Sequence, residues 1–246
     1  MSLTKAVVVG VGAEDGLGAA LSRCYAANDH HVLVAGRTLE KVEKVVAAIR
    51  QSGGSATAYA IDATREDDII RLFDAAMSDD KDGSPADLVT FNAGINRKID
   101  FRHMEVSTFE EFWRANTLGG FLVGREAARR FVPLERGSVF FTGASGSLRG
   151  MPGFAHFAAS KAGLRMISQS MAREFGPQGI HVAHVLVDGA IDGERVKSLF
   201  PGAFEHFGEN GMLNTKAIAE VYWQLHLQHP SAWTQEMDVR PFKEKF

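Results

Sequence analysis

Short apolar runs alternate with longer segments of helical periodicity along most of this chain. The apolar runs cover residues 5–11, 31–36, 56–62, 86–92, 137–142 and 180–187. Between them, apolar residues recur at helical spacing over residues 17–28, 39–52, 66–78, 107–131 and 153–175. The alternation predicts strands separated by amphipathic helices, followed by a helix at 215–228 and a last strand with an aromatic tail from Trp233 to Phe246.

The predicted strands are apolar throughout, without the alternation of a half-exposed sheet. Val32-Leu33-Val34-Ala35 and Leu88-Val89-Thr90-Phe91 show this most clearly. Strands joined by helical crossovers run parallel and must be covered on both faces, which explains their apolar character. The pattern therefore predicts an α/β fold with a doubly wound parallel sheet in three αβα layers. Ligands are then expected at the carboxyl ends of the strands.

Length and composition indicate a single domain over residues 1–246. The chain has 246 residues, 45% of them hydrophobic and 23% charged, without an internal repeat or linker. The net charge of −3 and the dispersed Lys and Arg residues argue against nucleic acid as a partner. No amino-terminal signal pattern is present, and no apolar run approaches about 18 residues, so we expect no membrane partner and a cytoplasmic protein.

The chain contains one cysteine, Cys24, which lies inside the first predicted helix. A single cysteine cannot form an intramolecular disulfide, and it fits a reducing compartment. We interpret Cys24 as a small core residue, since free cysteines are usually buried. Nothing in the sequence suggests a metal site.

The first predicted strand ends in a glycine-rich turn that leads into a helix. Gly12, Gly16 and Gly18 stand in this turn, and Leu17 begins the helix. We expect these glycines to allow a tight turn with positive φ and to leave no Cβ between the backbone and a pyrophosphate. Amides at the helix start would donate to that group. The turn predicts a nucleotide-phosphate site, although such glycines also occur in ordinary loops and in close helix–sheet packing.

Four motifs in order indicate a family. They are Gly12-x-x-x-Gly16-x-Gly18, Asn92-Ala93-Gly94, Asn116 and Ala158-Ala159-Ser160-Lys161-Ala162. From Lys5 to about Val187 the chain resembles the short-chain dehydrogenases/reductases. The resemblance implies a Rossmann fold, hydride transfer between a nicotinamide and a carbonyl or alcohol of a small-molecule substrate, and a homodimer or homotetramer.

The resemblance also implies further cofactor contacts. Asp62, followed by Ala63, looks like the residue that binds the adenine amino group, although it could instead cap the next helix. Asn92-Ala93-Gly94 looks like the turn that passes the ribose, although Asn92 could also tie strand ends together. Gly189 and Ile191 resemble the segment that contacts the nicotinamide carboxamide, with the register open by one residue.

The end of the second strand bears on the choice between NADP and NAD. Gly36 stands where an acidic residue would accept both ribose hydroxyls of NAD. Arg37 and Thr38 could hold a 2′-phosphate, which favours NADP, whereas Arg37 could also cover the adenine or lie on the surface. Glu14 and Asp15 bring negative charge near that phosphate, unless they only complement the helix amino terminus.

The resemblance implies four catalytic positions, and two of them depart from the family pattern. Lys161 and Asn116 match the lysine and the asparagine, while Phe157 replaces the acid/base tyrosine. Ala144 replaces the serine, so the hydroxyl is absent or comes from Ser145 or Ser147. A phenyl ring cannot donate a proton. The sequence therefore supports either an oxidoreductase with altered acid/base residues or an NAD(P)-binding regulatory or structural protein without turnover.

A segment after the sixth predicted strand has the composition of a mobile lid. Residues 190–214 are rich in Phe, Gly and charge. Phe200, Phe204 and Phe207 suggest a substrate with apolar character. The same residues could instead belong to the core of a short amphipathic helix or to an oligomer contact.

Overall fold

The structure, a computed structural model, describes residues 3–244 apart from the side chains of Arg195 and Leu199. Residues 1, 2, 245 and 246 of the predicted domain and tail lie outside this part. Within it, seven parallel strands form one sheet in the order β3-β2-β1-β4-β5-β6-β7. They are β1 (Thr4–Val9), β2 (His30–Gly36), β3 (Ser55–Ala60), β4 (Ser84–Phe91), β5 (Gly137–Ala144), β6 (Ile180–Val187) and β7 (Glu236–Val239). The six apolar runs and the short last strand are confirmed.

Helices connect the strands and flank the sheet. They are α1 (Leu17–Ala27), α2 (Leu39–Gln51), α3 (Glu66–Met77), α4 (Val106–Trp113), α5 (Gly119–Phe131), α6 (Ala155–Phe175), α7 (Glu194–Leu199), α8 (Ala203–Phe207) and α9 (Thr215–His226). The helix predicted over 107–131 contains a π-helical turn, Arg114–Leu118, between α4 and α5. None of the helices within residues 3–244 combines the length and apolar character that a bilayer-spanning segment needs.

Side chains on β1, an inner strand of the sheet, alternate between two buried layers, as the pleat of a strand requires. Ala6 and Val8 pack in the layer that contains α1, α2 and α9. Val7 and Val9 pack in the layer that contains α3, α5 and α6. All four residues are fully buried, which confirms the expectation of helices on both faces of an apolar parallel sheet.

The chain reverses its direction of travel across the sheet beside β1. After β1 it moves outward through β2 and β3, and it then returns to place β4 on the other side of β1. The connections that leave β1 and β4 therefore diverge, and a crevice opens between them at the carboxyl ends of the strands. This topology positions the site described next.

Candidate functional site

A crevice of about 860 Å³ opens at the carboxyl ends of the strands. It lies within the size range of pockets that bind small molecules and cofactors. Its lining includes every cofactor-binding or catalytic residue predicted from the sequence except the two alternative serines, Ser145 and Ser147. These residues are Gly12, Gly16, Leu17, Gly18, Arg37, Thr38, Asp62, Ala63, Asn92, Ala93, Gly94, Asn116, Phe157, Lys161, Gly189 and Ile191.

The tight geometry of the glycine-rich turn lies at Gly10. Gly10 has φ of 102°, whereas Gly12, Gly16 and Gly18 have no positive φ, so that part of the prediction is wrong. A Cβ on Gly18 would lie 2.7 Å from the carbonyl oxygen of Gly10, so Gly18 permits close packing of α1 on β1. A Cβ on Gly12 would meet no atom within 4 Å. Gly12 therefore leaves the backbone open toward the crevice.

The amino terminus of α1 is built to accept an anion. Its N-cap is Gly16, which offers no side chain to the first amides, and its first turn carries no acidic residue. The first amides of a helix have no intrahelical acceptor, and the helix dipole adds partial positive charge there. Leu17 and Gly18 place this helix start in the crevice wall. The arrangement provides backbone donors for a phosphate or a carboxylate.

The end of β2 presents cations in place of a carboxylate. A Cβ on Gly36 would lie 2.1 Å from the carbonyl oxygen of Val11, so this position has no room for an acidic side chain. Arg37 and Thr38 are exposed and line the crevice. Lys41, in the first turn of α2, lines it as well and was missed from the sequence. Lys41 follows Arg37 by four residues in the sequence, and this spacing of two cations was the signal that could have identified it.

Asp62 and Asn92 both make local hydrogen bonds at strand ends. Oδ1 of Asp62 accepts from the amide and from the hydroxyl of Thr64, both at 2.9 Å. The N-cap of α3 is Arg65, so the alternative that Asp62 caps this helix is wrong. Nδ2 of Asn92 donates to the carbonyl oxygen of Gly10 at 3.0 Å, which confirms that Asn92 ties the end of β4 to the end of β1. Both residues nevertheless line the crevice.

Asn116 lies in the π-helical turn between α4 and α5 and is fully buried. Its Oδ1 accepts from the amide of Ile95 at 3.2 Å, and its Nδ2 donates to Oγ of Ser160 at 3.0 Å. These bonds connect the segment after β4 to α6 through one side chain. π-Helical turns often occur at functional sites. Helical periodicity could not show this turn, because the apolar spacing continues through it.

Lys161 extends from α6 into the crevice and is buried. Its Nζ donates to the carbonyl oxygen of Thr142 at 2.8 Å. Burial lowers the pKa of Lys161 to about 8. A Cβ on Gly94 would lie 2.6 Å from Oδ1 of Asn116 and 3.5 Å from Nζ of Lys161. The asparagine and the lysine therefore converge at Gly94, and Thr142, which no side-chain pattern identifies, holds the lysine there.

Position 157 brings a phenyl ring to the crevice beside this lysine. Phe157 is half-buried, and its ring lies 3.0 Å from the position that a Cβ on Gly146 would take. His156, one residue earlier, faces elsewhere. Its Nε2 donates to the carbonyl oxygen of Arg97 at 3.0 Å, and its ring packs edge-on against Phe112.

The structure does not bring a serine to the place of Ala144. Ala144 itself lines the crevice, whereas Ser145 lies in the following 3₁₀ turn and is absent from the lining. The expectation that Ser145 presents its hydroxyl to the site is therefore not met. Oγ of Ser147 donates to the carbonyl oxygen of Ala144 at 2.7 Å, and Ser147 is buried. Neither Ser145 nor Ser147 is therefore part of the crevice lining.

The segment after β6 crosses the glycine-rich turn. Oδ1 of Asp15 accepts from the amide of Glu194 at 2.9 Å, and its Oδ2 lies 3.6 Å from Nζ of Lys197. Phe200 and Phe204 are 42% and 64% exposed, so the alternative that they are core residues is wrong. The contacts of Asp15 with Glu194 and Lys197 place α7 at the rim of the crevice, on the side of α1.

The model of the short chain dehydrogenase family matches residues 5–202. The chain belongs to this family. This short-chain dehydrogenase is 31% identical over 190 residues to 3β-hydroxysteroid dehydrogenase 1 of Eggerthella lenta, a match that covers 76% of this chain and 71% of that protein. It is 26% identical over 181 residues to gluconate 5-dehydrogenase of Gluconobacter oxydans, over 74% of this chain and 70% of that protein.

A solved structure supports the same assignment. The crystal structure of a short-chain dehydrogenase from Rhodopseudomonas palustris superposes with a TM-score of 0.79 at 36% identity. The match covers 96% of this chain and 99% of that chain. The resemblance found in the sequence and the predicted Rossmann fold are thereby confirmed.

Proposed function

We propose that this short-chain dehydrogenase is an NADP-dependent oxidoreductase that transfers a hydride between the nicotinamide and a carbonyl or alcohol substrate, with altered acid/base residues. The observation that carries the proposal is the convergence of Asn116 and Lys161 at Gly94, inside the crevice that begins at the glycine-rich turn. A structural role alone does not account for a buried lysine whose hydrogen bond positions it in the wall of an open crevice.

The residues of the crevice fit a dinucleotide. The open backbone at Gly12 and the uncapped start of α1 suit a diphosphate. Asp62 and Ala63 would hold the adenine, Asn92-Ala93-Gly94 and Lys161 the ribose next to the nicotinamide, and Gly189 with Ile191 the carboxamide. When bound, the nicotinamide supplies or accepts the hydride. Each of these assignments depends on the position of its residue in the crevice lining.

Arg37 supports NADP over NAD. Its guanidinium has no carboxylate partner within residues 3–244, and it lines the crevice with Thr38 and Lys41. Two cations and a hydroxyl suit a 2′-phosphate, and Gly36 leaves no carboxylate to repel it. The negative charge of Asp15 is partly compensated, because its carboxylate accepts from the backbone amide of Glu194 and lies 3.6 Å from Nζ of Lys197.

Lys161 is the acid that remains in place of the missing phenol. Its ammonium donates to Thr142 and keeps further protons for a ribose hydroxyl, a substrate oxygen or a water molecule. Because burial lowers its pKa to about 8, it can release a proton more readily than an exposed lysine. Loss of a positioned general acid typically lowers rates by about 10²- to 10⁴-fold, so we expect slow turnover.

A second candidate is a protein that binds NADP without turnover, with a regulatory or structural role. Phe157 and Ala144 favour it, because both apolar side chains line the crevice where the family places hydroxyl groups. The two candidates share the cofactor site and differ only in the chemical step.

One experiment separates them. NADPH and NADH are titrated by fluorescence, and NADPH oxidation is then followed with ketones, aldehydes and quinones for the wild type and for Phe157→Tyr. The oxidoreductase proposal expects slow but measurable wild-type turnover that Phe157→Tyr accelerates. Tight NADPH binding with turnover only in Phe157→Tyr would assign the native chain to the second candidate. Absence of binding would overturn both.

We further propose that residues 190–214 form a lid for a substrate with apolar character, and that the protein is a cytoplasmic homodimer or homotetramer. The contacts of Asp15 with Glu194 and Lys197 and the exposed rings of Phe200 and Phe204 support the lid. An apolar groove of about 480 Å³ between α5 and α6 supports self-association. Light scattering of the purified protein tests the oligomeric state.

A further inference from the structure

Three metal-ligating side chains meet at the edge of the sheet opposite the crevice. His30 is the first residue of β2, Asp87 lies in β4, and His226 ends α9. One ligand atom from each lies within 4.8 Å of the others. His30 is buried, and the other two side chains are partly buried. The group lies at the amino ends of the strands, so it does not belong to the cofactor crevice.

Both ring nitrogens of His30 face acceptor oxygens. Nδ1 of His30 lies 3.0 Å from the carbonyl oxygen of Asn28, which can only accept, so Nδ1 carries a hydrogen. In a neutral ring, Nε2 then has a lone pair. That atom lies 3.1 Å from Oδ1 of Asp87, which is also an acceptor. A proton on Nε2 would satisfy this contact, and a metal ion bound by Nε2 and Oδ1 would satisfy it as well.

His226 is oriented for the same role. Its Nδ1 lies 2.9 Å from Oγ of Ser138, which leaves Nε2 for the cluster. The ring of Trp223 packs against both imidazoles, with centroids 5.6 Å from His30 and 5.3 Å from His226. Histidine ligands of metal sites usually use one ring nitrogen for the metal and hydrogen bond the other to a carboxylate, a backbone carbonyl or water. His30 shows that arrangement with the carbonyl of Asn28, and for His226 the hydroxyl of Ser138 takes the same place.

We propose that His30, Asp87 and His226 bind a divalent transition metal ion, with zinc as the best match to two imidazoles and one carboxylate. Ligand atoms around tetrahedral zinc are about 3.3 Å apart, given metal–ligand distances of about 2.0–2.1 Å. The 3.1 Å between His30 and Asp87 already fits this spacing. The ligand atom of His226 lies within 4.8 Å of the other two, so metal binding would draw this side chain closer. Water fills the fourth position. The ion joins β2, β4 and α9 and thereby stabilises the fold.

Metal-stripped full-length protein tests the proposal with Co²⁺ and Zn²⁺ as probes. Co²⁺ should give the visible d–d bands of a tetrahedral site, and Zn²⁺ should displace it. Zn²⁺ at 100 times its Kd should raise the Tm by roughly 5–10 °C, as binding to the native state requires in a chain of this size. Asp87→Asn and His226→Gln should each abolish both effects, while His103→Gln, at an exposed histidine outside the cluster, should leave them unchanged.

The alternative occupant is a proton on His30, which would make an ion pair with Asp87. Wild-type protein that shows no Co²⁺ bands and no Tm change with Zn²⁺ would establish that alternative and overturn the metal site. Bands that persist in both Asp87→Asn and His226→Gln would place the metal elsewhere, which also overturns it. Asp87→Asn and His226→Gln are used because both side chains are only partly buried, whereas replacement of the buried His30 risks unfolding. NADPH titration of the same variants reports separately on the crevice.

Discussion

The ammonium of Lys161 donates a hydrogen bond to the carbonyl oxygen of Thr142 at 2.8 Å. Thr142 lies in β5 and Lys161 in α6, so the bond fixes the lysine between the sheet and the crevice. Burial lowers the pKa of Lys161 to about 8. The charge of this side chain therefore changes within reach of physiological pH, unlike that of an exposed lysine.

Carbonyl reduction should depend on the protonated form of Lys161. Below about pH 8 the ammonium is present and kcat/KM should be constant, and above it the rate should fall about tenfold per pH unit. Alcohol oxidation, which needs a proton acceptor, should show the opposite trend. The measurement is a kcat/KM profile with NADPH between about pH 6 and 10. A profile that is flat through pH 8 would show that another group supplies the proton.

Phe157→Tyr should increase turnover by about 10²- to 10⁴-fold, because it restores a phenol four residues before Lys161 on α6. The affinity for NADPH should stay within about twofold, since a phenol is not needed to hold the dinucleotide. Steady-state kinetics and fluorescence titration measure the two quantities. Phe157→Leu is the matched control, as it changes the shape of the side chain without adding a hydroxyl. Equal rates in both variants would contradict the role assigned to the missing oxygen.

Local patterns predicted the sheet and most of the crevice, because each depends on residues that are close in the chain. The glycine-rich turn follows its strand directly, and Lys161 stands in a short motif on one helix. The prediction that Ser145 reaches the site was wrong, because Ser145 lies in the 3₁₀ turn after β5 and is absent from the crevice lining. The positive φ lies at Gly10 instead of Gly12, and a Cβ on Gly10 would lie 2.2 Å from the amide nitrogen of Ala93, a neighbour only in the folded sheet.

Residues brought together from distant segments could not be predicted at all. His30, Asp87 and His226 share no motif and approach one another only through the strand order and the docking of α9. The same holds for the carbonyl oxygen of Thr142, since any residue type supplies a backbone acceptor. Long-range geometry, more than residue type, therefore limits what the sequence of this chain reveals.

Arg37→Ala should weaken NADPH binding by roughly 10- to 100-fold, because it removes a charge-assisted hydrogen bond to the 2′-phosphate. NADH, which has no such phosphate, should lose less than about threefold. Parallel titrations of the two nucleotides provide the measurement, and the salt dependence of NADPH binding should decrease with the charge. Lys41→Ala serves as a second probe of the same phosphate. Equal losses for both nucleotides would remove the argument for NADP.

Gly94→Ala should reduce turnover strongly while the protein remains folded. Its Cβ would lie 2.6 Å from Oδ1 of Asn116, so this side chain must shift from its place beside Gly94. Overpacking of this kind costs about 1–3 kcal/mol of stability. Gly150→Ala is a suitable control, because a Cβ there meets no atom within 4 Å and Gly150 is absent from the crevice lining. Steady-state kinetics and thermal melts are measured for both variants. Equal turnover in Gly94→Ala and Gly150→Ala would contradict the prediction.

His184→Asn should flatten the acid side of the stability profile. His184 is fully buried on β6, and Glu236 of β7 lies 2.9 Å from its Nδ1, while Arg165 and Lys161 of α6 carry the other nearby charges. Burial lowers the pKa of His184 from 6.5 to about 4. Between these values the unfolded chain binds a proton that the native state excludes, so this histidine favours folding above about pH 6.5 and loses that effect as the pH falls toward 4.

The contribution that disappears amounts to at most about 3.5 kcal/mol, since the pKa falls from 6.5 to about 4 and one pKa unit corresponds to about 1.4 kcal/mol. Urea unfolding of both proteins between about pH 4 and 7 measures it as the difference between two stability curves. The pKa values of His31, His181 and His226 are also lowered, first of all by burial, but these residues are present in both proteins and cancel in the difference. The difference between the two stability curves should change across this pH range, because the asparagine side chain does not titrate. Its amide can still donate to Glu236. Parallel curves would mean that His184 takes up its proton equally well in the native and the unfolded chain.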